Sequence, residues 1–414
     1  MTDREALYRA ILSDPDDDTL RLIYADALEE EGEAKRAAFI RAQVQFARVP
    51  EYDPAWVRAR HHERDKMFGG RWTLELPRLP EGLRWAREPF RRGFPANVEA
   101  RDGAAFVTHA DELFRQFPIE SVELAVAPLA SVREFAQSPW TSRLVRLSVA
   151  QGLSGQSASR LLGSDRYERL RELHIGAGLT TAATATAVVR SRVFRQLTTL
   201  SCRDDRAGGQ TLVHELTRLA DPPRLRTLDL SGSRLTTDQL TRLFASPAMA
   251  GIEELILNEN NLRAESLRVV AAAHLPHLRS LHLQRTQPEQ AGVIALTGAA
   301  YLPEVRSLSL GGNNLPPASA ATLAACPALG NLRVLDLPEN RLGDDGVTAL
   351  ASSRHLRGLA HLDLSNNLVE DDGADALVQS AHLGDLVYLD LHGNLISPAA
   401  VGRLKRRFGD RVFL

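Results

Sequence analysis

Eleven apolar-rich segments recur along this chain at a nearly constant interval, and that periodicity limits the fold more than any other feature. The clearest copy is LRVLDLPENRL at 332–342, with the pattern Leu-x-x-Leu-x-Leu-x-x-Asn-x-Leu. Further copies are LRTLDLSGSRL at 225–235, IEELILNENNL at 252–262, VRSLSLGGNNL at 305–315, LAHLDLSNNLV at 359–369 and LVYLDLHGNLI at 386–396. LRSLHLQRTQP at 278–288 fits less closely, and weaker copies begin at Leu197, Leu170, Leu144 and Ile119. First positions lie 25 to 28 residues apart. A fixed period of this length signals units that stack, because no single unit buries its own apolar face.

Each half of the unit has a physical reading. The central Leu-x-Leu alternates as a short strand with one buried face must. The Asn that follows (Asn313, Asn340, Asn367, Asn394) suits a turn where a side-chain amide satisfies backbone groups. Ser233, Thr286 and Asp205 replace it and should do so less well. The remainder is helical, best seen in 343–356 and 371–383. Aspartates open these segments, as helix N-termini favour, and Val347 and Leu350 share one face. A strand followed by a helix implies parallel strands joined by right-handed crossovers.

The spacing and the helical half resemble leucine-rich repeats of the ribonuclease-inhibitor-like subclass over 119–414. The resemblance implies an α/β fold: a curved right-handed solenoid of about eleven units, with parallel strands on the concave face and helices on the convex face. VGRLKRRFGDRVFL near 401–414 should cap its end.

Residues 1–48 read as a separate small all-α module. Thr2 and Glu5 form a candidate capping box, and Leu7, Tyr8, Ile11 and Leu12 make one apolar face. SDPDDD is a turn; a second helix ends at Gly32 and a third stops before Pro50. Arg21-Leu22-Ile23-Tyr24-Ala25-Asp26, followed by Ala27-Leu28-Glu29-Glu30 and Phe39-Ile40, resembles the repeat-companion domain of planctomycete-type bacterial proteins. That family's usual Trp is replaced by Ala27, and Lys35-Arg36-Ala37-Ala38 stands where it often has Pro-Arg-Gly-Glu. The resemblance implies architecture, a bacterial source and no established activity. Residues 49–118 join the two parts, with a charged helix from Trp56 to Met67 that includes His61 and His62. Next come Arg84, Arg87, Arg91 and Arg92 around Trp85 and Phe90, then an atypical strand and helix that cap the first repeat.

Composition narrows the function. The chain's 52 acidic residues nearly balance its 50 Lys and Arg, so no global field draws it to nucleic acid or anionic lipid. Two cysteines exclude a disulfide scaffold and a four-cysteine metal site. Cys202 and Cys326 read as packing residues. The amino terminus does not read as a secretory signal, and no apolar stretch reaches membrane-spanning length. The expectation is a cytoplasmic monomer, with no nucleic-acid or membrane partner and no cofactor. Phosphate-loop, zincin and triad patterns are missing, so no enzyme is expected.

The outward strand positions are the candidate binding surface. One column reads Ser148, His174, Ser201, Asp229, Ile256, His282, Ser309, Asp336, Asp363 and Asp390. Flanking columns contribute Glu172, Glu254, His361 and Tyr388, and Arg203, Asn258, Gln284, Ser365 and His392. Glu254, Asn258, His282, Gln284, Asp336, His361, Asp363, Tyr388, Asp390 and His392 are the candidate partner-binding residues, with Tyr388 as an aromatic anchor. His361, Asp363, Asp390 and His392 could also suggest a metal site, but the repeat itself imposes their spacing. The expected function is a scaffold that binds a protein through the concave face. A regulator of an enzyme or GTPase, resembling ribonuclease inhibitor or the Ran GTPase activator, and a structural module without a ligand are the alternatives.

Overall fold

Every Leu-x-Leu core becomes a short strand in the computed structural model, which describes residues 3–57, 76–177, 181–203, 208–219 and 223–414. The eleven expected positions hold β5 (Ser121–Val126), β6 (Arg146–Gln151), β7 (Glu172–Ala177), β8 (Thr199–Cys202), β9 (Thr227–Asp229) and β10 (Glu254–Ile256). They continue through β11 (Ser280–His282), β12 (Ser307–Ser309), β13 (Val334–Asp336), β14 (His361–Asp363) and β15 (Tyr388–Asp390). Four strands precede them: β1 (Leu83–Trp85), β2 (Phe90–Arg91), β3 (Phe94–Pro95) and β4 (Asn97–Ala100). β16 (Val412–Phe413) follows. Pairing is parallel from β4 through β7 and from β9 through β16, with partners next to each other in the chain. Only right-handed crossovers through intervening helices give this order readily.

The chain forms two compact units. One comprises residues 1–51 and 62–201, the other residues 52–61 and 202–414.

In the second unit, the leucines of each strand point into the core: Leu335, Leu337, Leu362, Leu364, Leu389 and Leu391 are all buried. Helices close the other side. Gly343–Ala351 opens with Asp344 and Asp345 and buries Val347 and Leu350. Each such side chain contributes about 1.5–3 kcal/mol. Short 3-10 turns, Pro327–Asn331 and Arg354–Leu356, return the chain to the next strand.

The turn asparagines form a ladder between neighbouring repeats. Asn340 Nδ2 donates to Leu310 O at 3.1 Å and Leu337 O at 3.0 Å. Its Oδ1 accepts from the amides of Asn313 at 3.1 Å and Leu315 at 2.9 Å. An amide bears both donor and acceptor, so one side chain serves two turns. Ser233 reaches one carbonyl, that of Cys202, at 3.4 Å, and Thr286 reaches Leu283 O at 2.8 Å. Asp205 lies outside the described residues.

In the first unit, three helices form the amino-terminal module: Asp3–Ser13, Asp18–Glu30 and Ala34–Phe46. Asp17 caps the second, accepting from Thr19 N at 2.7 Å. Thr2, the expected cap of the first, lies outside the described residues. The module does not complete its core alone. Ile11, Tyr24, Ala25, Leu28, Ala37, Ile40 and Val44 close around Phe94 from β3. Three helices of this size enclose too little apolar volume to be independent, and a borrowed aromatic ring fills the gap. Gly93 makes this approach possible, since a Cβ there would sit 2.6 Å from the Ile40 Cα. The entry segment then gives β4 and the helix Gly103–Gln116.

Candidate functional site

The parallel register sets outward side chains in rows that cross the strands. One row of the second unit runs Thr227, Glu254, Ser280, Ser307, Val334, His361, Tyr388, and the next runs Asp229, Ile256, His282, Ser309, Asp336, Asp363, Asp390. Strands about 4.8 Å apart bring these groups within reach of one another, so they pair across strands.

Four candidate residues gather on β10–β11 and the turns after them. His282 Nε2 lies 3.3 Å from Glu254 Oε1, and Thr227 Oγ1 donates to Glu254 Oε2 at 3.1 Å. The His282 ring is the chief cause that holds the Glu254 carboxyl below the usual range, against burial. Asn258 Oδ1 accepts the Gln284 amide at 2.8 Å, and Gln284 Nε2 donates to Ser309 Oγ at 2.6 Å. Both pairs belong to one polar patch of half-buried groups.

The other six gather on β13–β15. His361 Nε2 lies 2.8 Å from Asp336 Oδ1. Asp363 accepts from Ser365 N at 2.9 Å and Ser365 Oγ at 2.7 Å. Burial raises the Asp363 carboxyl above its usual range, and the carboxylates of Asp390 and Asp336 add to the effect. Asp390 is buried; it accepts from Tyr388 Oη at 2.7 Å, His392 N at 3.0 Å and His392 Nδ1 at 2.7 Å. His392 itself is exposed. The carboxylates that looked open in the sequence are thus engaged within the sheet. Asp229, also outward in pattern, is buried against Arg203 and Ser231.

Tyr388 is not an open anchor: it is 3% exposed. Its ring stacks on His361 at 4.6 Å and meets Phe413 at 4.7 Å. Tyr52, Trp56 and Val57 cover it, packing with Val334, Val387 and Phe413 in one apolar cluster. Residues 54–57 are helical. The rest of the expected helix to Met67, with His61 and His62, lies outside the described residues. Sequence reasoning did not single out Val334, and it placed Phe413 only within the expected cap at 401–414. The available signal was an apolar residue in an otherwise polar row.

In the first unit, three of the four arginines near Trp85 form ion pairs. Arg84 pairs with Glu99, and Arg92 lies 3.4 Å from Asp16 and 3.5 Å from Asp18. Arg91 sits 3.1 Å from Glu120, while Arg87 is exposed. Glu120 is 1% exposed and faces Arg21, 0% exposed, at 3.6 Å. The Arg21 guanidinium lies 4.9 Å from the centre of the Phe94 ring and donates to Pro15 O at 2.7 Å. Tyr24 packs on the same ring, 5.5 Å between centroids, and Tyr8 Oη donates to Gln116 O at 2.6 Å. The Arg-Leu-x-Tyr motif therefore fastens the helical module to the entry of the repeats. Asp26, from the same motif, pairs with Arg41 at 2.6 Å at the surface.

A cleft of about 1300 Å³ opens on the helix side of the first unit, between Leu129–Gln137 and Gly155–Leu162, lined partly by Arg133, Ser159, Arg160 and Arg166. It lies on other residues than the candidates. Among the described residues, no three His, Cys, Asp or Glu side chains gather as a metal ion would require, and no helix is long and apolar enough to cross a membrane.

A family model described as "Leucine Rich repeat" matches residues 331–351 and 355–378. Those two repeats are the ones around β13 and β14. No curated protein matches the chain. Among solved structures, a protein from Bacteroides fragilis is similar at 13% identity, covering 74% of this chain and 80% of that one, with a TM-score of 0.37. The complex of Rad7 and Elc1 in yeast is similar at 14% identity, covering 97% and 96%, with a TM-score of 0.41. At these scores neither likeness supports an argument about function.

Proposed function

We propose that the protein is a non-enzymatic scaffold that docks another protein on the strand face of its repeats, with the helical module at 1–48 bracing the entry to the array. The observation that carries this reading is the pairing of carboxylates and imidazoles in register on that face, Glu254 with His282 and Asp336 with His361. Groups set this way on a rigid sheet lose little freedom on binding and select a partner by charge pattern.

The test is affinity capture with the full chain, comparing wild type with Glu254→Lys/Asp336→Lys after circular dichroism shows an unchanged fold. Loss of a defined set of captured proteins, at least tenfold by quantitative mass spectrometry, is the expected outcome. An unchanged set would remove these rows from the docking surface. No specific capture by either protein would favour a structural module without a ligand.

A further inference from the structure

The strand face of the second unit is polar along most of its length. Ile256 apart, the outward residues of β9–β12 are Thr227, Asp229, Glu254, Ser280, His282, Ser307 and Ser309. At β13–β16 the character changes. Val334, His361 and Tyr388 stand side by side in register, and Phe413 follows on the last strand. An apolar, aromatic patch on a polar face marks a contact surface.

This patch already has an occupant. Tyr52, Trp56 and Val57 pack on it, and Val57 is 1% exposed. Residues 52–57 belong to the same compact unit as the repeats they pack against. The covering segment has the marks of a helix start. Asp53 Oδ1 accepts the Ala55 amide at 2.7 Å, Pro54 takes the first helical position, and Val57 N donates to Asp53 O at 2.9 Å. Tyr52 stands just before the cap, Trp56 and Val57 lie in the first turn, and all three pack on the patch. Helices in proteins draw most of their stability from tertiary packing, and Tyr52, Trp56 and Val57 supply it here against Val334, Tyr388 and Phe413.

We propose that Val334, His361, Tyr388 and Phe413 form a recognition site for the start of a helix that bears one aromatic residue just before its cap and an aromatic and an aliphatic residue in its first turn. Tyr52–Trp56–Val57 is its occupant in cis, and a protein segment of the same chemistry binds in trans by displacing it. The inference deepens the docking reading and rests on it. A segment of the same chain binds intramolecularly, at an effective concentration that its tether sets. A competitor therefore sees its affinity reduced to the fraction of time that the site is open.

The experiment uses a fluorescein-labelled peptide of residues 50–60, titrated into the full chain and followed by anisotropy. Tyr52→Ser/Trp56→Ser, which releases the cis segment, should bind the peptide at least tenfold more tightly than wild type. Adding Tyr388→Ser to that variant should abolish the gain. Equal binding by wild type and the released variant would overturn the displacement, and no binding by the released variant would overturn the site. Should the released variant fail to fold, Tyr388→Ser alone decides through hydrogen exchange. The Val57 amide should exchange at least tenfold faster, and unchanged protection would refute the contact. Peptide binding that behaves as expected, alongside unchanged capture by Glu254→Lys/Asp336→Lys, would uphold this site and reject only the role of the polar rows.

Discussion

Replacing Glu120 by Gln should unsettle the first unit more than replacing Arg21 by Met, although the two side chains face each other. Both are buried, at 1% and 0% exposure, and 3.6 Å apart. Their surroundings differ. Glu120 has a second cation, Arg91, at 3.1 Å, so Arg21→Met leaves the carboxylate paired. Met also keeps the apolar stem against Phe94. The cost should then be near that of one charged hydrogen bond, about 1.5–3 kcal/mol. Glu120→Gln leaves Arg21 ionised, since a guanidinium does not give up its proton, with carbonyls as its acceptors: Pro15 O at 2.7 Å and Arg92 O at 3.4 Å. Breaking a buried pair in that sense costs about 3–5 kcal/mol. The double variant should fall short of the sum by at least about 1 kcal/mol, because the second change removes what the first left uncompensated. Urea titration followed by circular dichroism measures the total. Repeat arrays need not unfold in one step, so hydrogen exchange in Asp18–Glu30 provides the local reading. An Arg21→Met penalty equal to or above that of Glu120→Gln, or strict additivity, would refute the assignment of Glu120 as the centre of this contact.

Two further outcomes follow from the repeat array. Asn340→Ala removes the acceptor from the buried amides of Asn313 and Leu315 and should cost about 2–6 kcal/mol, at about 1–3 kcal/mol for each orphaned donor; a drop below about 1 kcal/mol by urea titration, or unchanged exchange at Leu315, would contradict the ladder. Burial works to raise the Glu172 carboxyl, but His174, Arg146 and Arg91 outweigh it and hold it at about 2, with Arg146 at 2.6 Å. A folded value below the unfolded one means stability that is fully present above about pH 4.5 and lost as pH falls toward 2, of the order of 3 kcal/mol at most; Glu172→Gln should flatten that acid limb, and an unchanged pH profile would count against the pairing.

The sequence by itself determined the repeat architecture. A period of about 27 residues places one strand and one helix per unit, and apolar alternation chooses the buried face. Both depend only on neighbours in the chain, so Leu335, Val347 and Asn340 could be assigned without coordinates. The resemblance of 1–48 to a small helical module was legible for the same reason. Its dependence on Phe94 was not, because nothing local says that three short helices lack one ring. The roles of Arg21 and Glu120 depend likewise on a contact about a hundred residues apart. On the strand face, residue types could be listed in order, but not their partners: Asp390 looked open and proved buried beneath Tyr388 and His392. The largest difference concerns Tyr388. Periodicity placed it outward, and outward positions on a bare sheet face water. Tertiary structure decided otherwise, because Tyr52, Trp56 and Val57, more than three hundred residues earlier, cover it. Such a contact has no period and no local propensity; it exists only once the repeats have stacked and gathered Val334, Tyr388 and Phe413 into one cluster.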